Sequence, residues 1–180
     1  MIQRVTSWRL QESLKNLRTM KKTMPIVLAN IVQNHFVEGF RLGGYRTDAS
    51  KGGWKKRQFT AGKGKRGILI GKGSGLLRRD IKKRVTSFSR IVVGTSQLTQ
   101  AYAEIQNEGG NITITPKMRR FFWYKFETVK NKAEKAYWKS LALHTGSTIT
   151  IPKREYIGES RDLENKLISR IDKEIQKVFK

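Results

Sequence analysis

Ile112-Thr113-Ile114-Thr115-Pro116 and Ile149-Thr150-Ile151-Pro152 are near-copies of each other. Each alternates a β-branched apolar residue with threonine, the pattern of a strand with one face turned inward. Between them, Met118 to Leu143 contains neither Gly nor Pro. It places Phe122, Phe126, Val129, Ala133, Tyr137 and Leu141 at helix-compatible positions. The two strands and the helix together describe a β-hairpin whose turn is replaced by a helical insertion over residues 117–146.

Outward from this hairpin the pattern is helical at both ends. Ser160 can cap a C-terminal helix with Leu163, Leu167, Ile171, Ile175 and Val178 along one face. Ser7 can cap an N-terminal helix with Leu10, Leu14, Leu17, Met24, Leu28 and Ile31 at three- and four-residue spacing. Pro25 either kinks this helix or starts a second one, and Gly39 to Gly44 ends it. Ile68-Leu69-Ile70 reads as a short buried strand or turn. Leu76 to Val93 suits two strands with a turn near Ser87 to Arg90, and Thr99 to Glu108 a helix stopped by Gly109-Gly110. The expected fold is therefore α+β: one domain over residues 1–180, its terminal helices packed on a mainly antiparallel sheet.

The chain has 180 residues, 38 of them Lys or Arg against 14 Asp or Glu, for a net charge of +24. Sixteen of the cations lie between residues 41 and 90, and 10 of the 16 glycines between Gly43 and Gly75. Such a stretch holds few apolar residues and repels itself, so residues 41–75 read as a long basic loop ordered against something negative. On this reading residues 41–67 contribute little to the core, and deleting residues 46–64 shifts the melting temperature by only a few degrees. Lys51, Lys55, Lys56, Arg57, Lys63, Lys65, Arg66 and Lys72 are the candidates to face DNA or an acidic partner.

Enzyme chemistry finds no foothold. Without cysteine there are no disulfides, thiolate metal sites or thiol nucleophiles. Gly62-Lys63-Gly64-Lys65-Arg66-Gly67 matches a dinucleotide fingerprint in letters only, because a charged loop precedes it and no helix follows. Gly71-Lys72 lacks the spacing of a phosphate loop. His35 falls on the apolar side of the first helix, where a packed histidine is the default. His144 ends the insertion, where it can serve helix C-terminal carbonyls. No catalytic residue, metal site or cofactor is expected. The longest apolar stretch, Pro25 to Val32, is interrupted by Asn30 and too short to span a bilayer, so no membrane partner is expected and the chain reads as soluble. In Phe121-Phe122-Trp123-Tyr124, beside Lys117, Arg119 and Arg120, Phe122 sits at core spacing. Trp123 and Tyr124 are left as assembly-interface candidates, with stacking on unpaired bases the lesser reading.

Several segments, in this order, resemble the phage virion morphogenesis family, the tail-completion proteins of contractile-tailed phages. They are Trp54, the triplet Ile68-Leu69-Ile70, and Gly75-Leu76-Leu77-Arg78-Arg79-Asp80-Ile81, similar to a G-x-L-R-x-S-I motif. Val93-Gly94-Thr95 and Tyr102-Ala103-Glu104-Ile105-Gln106-Asn107-Glu108-Gly109-Gly110 follow. Ile151-Pro152-Lys153-Arg154-Glu155-Tyr156-Ile157-Gly158 then resembles an I-P-A-R-P-F-L-G segment. Asp80 stands where the family usually has Ser, Glu155 and Tyr156 replace Pro and Phe, and the helical insertion is longer than in compact members. The resemblance implies a non-enzymatic virion component of the neck or head-proximal tail, made in the host cytoplasm and assembling as a ring of identical subunits. Its partners would be neighbouring neck, portal-adaptor or tail-tube proteins and packaged double-stranded DNA. A free basic nucleic-acid-binding protein is the alternative that charge alone favours, and an assembly factor absent from the finished particle is a third.

Overall fold

In a computed structural model, residues 7–48, 52–56, 68–70 and 75–178 are described. The order is α1 (Ser7–Leu42), α2 (Leu76–Asp80), β1 (Lys82–Thr86), β2 (Ile91–Gly94), a 3₁₀ turn (Gln97–Thr99) and α3 (Gln100–Glu108). Then come β3 (Gly110–Thr113), α4 (Pro116–Thr128), α5 (Lys132–Ala142), β4 (Thr148–Ile151) and α6 (Arg161–Val178). The fold is α+β, with helices at both ends and antiparallel strand pairs between them.

The two near-copies pair as expected. β3 and β4 run antiparallel with Ile112 opposite Ile149 and Thr113 opposite Thr148, and the whole insertion lies between them. The insertion is two helices, however, not the single one expected. Thr115 caps α4 by accepting from the Met118 amide at 3.2 Å, with Pro116 in its first turn. The chain then breaks at Val129, and Asn131 opens α5 by accepting from the amides of Ala133 and Glu134 at 3.0 and 3.1 Å. Antiparallel packing of α4 on α5 buries Phe122, Ala142 and Ile114, with Trp138, Leu141 and Ile149 against them. The insertion thus carries a small core of its own.

The single sheet is also corrected: among the described residues the strands form two separate two-stranded sheets. β1 pairs with β2 through the expected turn, where the Ser87 amide donates to the Arg90 carbonyl at 2.9 Å. Leu76 to Asp80, read as the start of a strand, is a helical turn entered through Gly75 at φ 52°. α1 runs through Pro25 without ending, so no second helix starts there. At 1.5 Å per residue α1 is about 54 Å long. No described side chain before Met24 is buried, so its first half extends beyond the core.

The largest correction concerns residues 41–67. Tyr45 and Trp54 lie in the main core with Phe36, Phe40, Leu77, Ile81, Tyr156 and Leu163. Glycine makes this possible. The strands of chain around Gly44 and Gly52 cross so closely that a Cβ on Gly44 would stand 1.3 Å from the Gly52 carbonyl oxygen. The Trp54 amide donates to the Gly43 carbonyl at 2.8 Å and the Gly52 amide to the Tyr45 carbonyl at 3.1 Å, which steers the Trp54 indole inward. Residues 49–51, 57–67 and 71–74 lie outside the described residues.

Candidate functional site

The connection from β4 to α6 is anchored from two sides by side chains of other segments. The Trp54 indole N–H donates to the Glu155 carbonyl at 2.6 Å, and the Tyr45 hydroxyl donates to the Gly158 carbonyl. From the other side, Asn107 Oδ1 accepts the amides of Tyr156 and Ile157 at 2.9 and 3.1 Å. Tyr156, 1% exposed, packs edge-on against Phe40 with ring centroids 5.3 Å apart. Burial, with the charge of Glu155, pushes the Tyr45 hydroxyl up to about 12. Burial does the same to Tyr156. Ser160 then caps α6 as expected, accepting from the Leu163 amide at 3.2 Å while its hydroxyl donates to the Arg46 carbonyl at 2.6 Å.

Asp80 forms a second anchor. Its Oδ2 accepts from the Ser96 amide at 2.6 Å, the Ser96 hydroxyl at 2.8 Å and the Thr99 hydroxyl, and its Oδ1 accepts from Arg84 at 3.2 Å. Burial opposes ionisation, but Thr99, Ser96 and Arg84 outweigh it and bring the carboxyl down to about 2. Ionised Asp80 therefore ties α2 to the turn that starts α3. Since its folded pKa is depressed, this contribution is complete above about pH 4 and is lost as the pH falls toward 2. Asp80→Asn is expected to lower unfolding free energy by about 2 kcal/mol at neutral pH and to weaken the acid dependence. Urea titrations at pH 7 and pH 3 check both. An unchanged midpoint at pH 7 would remove the anchor.

His35 is buried as the default reading held, with Nδ1 3.7 Å from Asp162. Arg46 and Lys166 meet the same carboxylate at 3.4 and 2.7 Å. Burial first, then Lys166, lowers the His35 pKa, and Asp162 opposes them. The folded chain thus takes up a proton here less readily than the unfolded chain, and stability falls as pH drops below about 6.5. His35→Gln is expected to reduce the loss of melting temperature between pH 8 and pH 5, as read by thermal scans. His144 does not serve the end of α5. Its Nε2 lies 3.0 Å from the Thr148 carbonyl, and Arg119 caps instead, donating to the carbonyls of Ala142 and His144 at 3.1 and 2.9 Å.

Of the basic candidates, Lys55 and Lys56 are described and exposed. The Lys55 carbonyl accepts from Arg154 Nε at 3.2 Å, which places them beside the β4–α6 connection. Lys51, Arg57, Lys63, Lys65, Arg66 and Lys72 lie outside the described residues. Trp123 and Tyr124 are 38% and 60% exposed on α4, beside Phe121 at 47%, while Phe122 turns inward. Missed by the sequence reading were the cations of β1, Lys82-Lys83-Arg84, in a strand whose five residues are all exposed. Three consecutive charges on a short strand signal an outer edge, and they were folded into the loop's total charge instead.

Among the described residues no three His, Asp or Glu side chains converge as a metal site, and no helix is long and apolar enough to cross a membrane. Comparison with protein-family models, with curated proteins and with solved structures found no match for this chain.

Proposed function

We propose that the chain is a structural subunit of the neck or head-proximal tail of a phage virion, built as a ring of identical copies. The observation that supports this reading is the convergence of the segments that carry the resemblance. Trp54, Leu77, Ile81, Ala103 and Tyr156 are spread over residues 54–156, yet all belong to one core cluster. The motif segments thus supply the apolar side chains of one core, as the segments of a single fold would. In support of assembly, α4 presents Phe121, Trp123 and Tyr124 to solvent, and apolar surface grouped on one element is a feature of contact sites. The second reading, a free nucleic-acid-binding protein, draws on the +24 charge.

Electron microscopy of the purified protein separates the two. Closed rings of uniform diameter are expected, because head-to-tail contacts between identical subunits close when their rotation divides a full turn. Monomers that stay dispersed at high concentration would favour the free binding protein. Mass spectrometry of purified virions would separate a ring component from an assembly factor left behind.

A further inference from the structure

Among the helices and strands, positive charge gathers on α1 and on the segment from α2 to β2, with a second group on the α4–α5 pair. Between Arg78 and Arg90 there are six cations and one acid, and that acid, Asp80, is already held by Ser96, Thr99 and Arg84. All six cations are exposed. The segment is fastened to α1 at three points. Lys83 Nζ donates to Asn30 Oδ1 at 2.8 Å, Gln33 Nε2 donates to the Ile81 carbonyl at 2.8 Å, and Lys21 Nζ lies 5.9 Å from the Phe88 ring. On α1 itself, Lys15, Arg18 and Lys22 follow at three- and four-residue spacing, which puts them on one face. They line an open groove with Gln11, Leu14, Thr19 and Thr23, the two hydroxyls donating to carbonyls of their own helix and the Gln11 amide adding a polar group.

We infer that this hairpin-and-helix face binds the sugar–phosphate backbone of double-stranded DNA. An acidic protein fits it less well. Protein interfaces deplete charge at their centre and fill it with apolar side chains, whereas nucleic-acid interfaces are polar and strongly positive. Phe88 is the one aromatic residue among these cations, and Lys21 lies over it. A single strand is likewise disfavoured, since its bases call for interleaved aromatic platforms. Lys15 to Lys22 spans about 10 Å along the helix axis, roughly three base-pair steps at 3.4 Å. With no recognition helix among these elements, binding is set by phosphates and is independent of sequence. The inference goes beyond the ring reading and is built within one subunit.

The test is fluorescence anisotropy of the full chain with two duplexes of unrelated sequence, titrated from 50 to 200 mM salt. Equal affinities and a steep salt dependence are expected, with a log–log slope of about −0.9 per phosphate neutralised. Lys15→Gln/Arg18→Gln/Lys22→Gln/Lys82→Gln should flatten the slope by about 3 to 4. A control with the same charge change, Lys117→Gln/Arg120→Gln/Lys130→Gln/Lys132→Gln on the α4–α5 pair, should leave it within about 1 of the wild type. Should the fourfold variant unfold in a thermal scan, Arg18→Gln/Lys22→Gln is read instead, with a change of about 2. The inference is overturned by absence of duplex binding at 50 mM salt, or by equal flattening in the control. It is equally overturned if replacing the eight loop candidates with Ser flattens the slope while the face variant does not. Competition by polyglutamate as strong as that by DNA would reassign the face to an acidic protein. Micrographs of the same samples keep the two readings apart: rings that ignore DNA sink this inference alone, and DNA-binding monomers sink the ring alone.

Discussion

Trp54→Ala is expected to destabilise the chain by about 3–5 kcal/mol, the range for removing a buried large aromatic side chain. Trp54 is 8% exposed, meets the Phe40 ring edge-on at 5.4 Å, and donates its indole N–H to the Glu155 carbonyl. Alanine would leave a cavity beside Phe40 and free the connection into α6. Trp54→Phe should cost less, keeping most of the buried ring while giving up a hydrogen bond that contributes about 1 kcal/mol. Urea unfolding, followed by far-UV circular dichroism, gives both values. A loss below about 1 kcal/mol for the alanine variant would fit a solvated surface position, as the sequence reading of residues 41–67 supposed. For the same reason, deleting residues 46–64 should now prevent stable folding instead of lowering the melting temperature by a few degrees.

That segment shows where sequence reading fails and why. Composition weighs residues by number, and a stretch with one tryptophan among many glycines and lysines looks unable to fold. The structure uses the glycines as a close crossing at Gly44 and Gly52, so two large side chains, Tyr45 and Trp54, suffice to hold the segment. The alternating isoleucines and the Ser160 cap were legible because they follow local rules of period and hydrogen bonding. The break inside the insertion was legible too: Asn131 precedes Glu134 by three residues, a helix-start signal. The lack of Gly and Pro between Met118 and Leu143 masks that signal. Separation into two small sheets was not legible, since strand period fixes which face turns inward but not which strands are neighbours. The anchoring of Asp80 by Ser96 and Thr99 depends on a turn whose shape no local pattern encodes.

Trp123→Ser/Tyr124→Ser is expected to weaken self-assembly by about 30- to 1,000-fold while leaving the subunit folded. Aromatic side chains near the centre of an interface commonly contribute about 2–4 kcal/mol when truncated, which sets that range. The fold should tolerate the change because neither residue belongs to the core under α4: Tyr124 is mostly solvated, and Trp123 leans edge-on against Phe126 at 5.7 Å. Phe122→Ser is the contrast. Its ring is buried against Trp138 at 6.1 Å, so its loss should unfold the α4–α5 pair by removing the centre of a core with three buried members. Analytical ultracentrifugation reads assembly and thermal scans read folding. If the Trp123/Tyr124 variant assembles as the wild type does, copies meet through another surface and the exposed aromatics of α4 lie outside the contact. If assembly is lost with an unchanged melting curve, α4 is the face that joins one copy to the next.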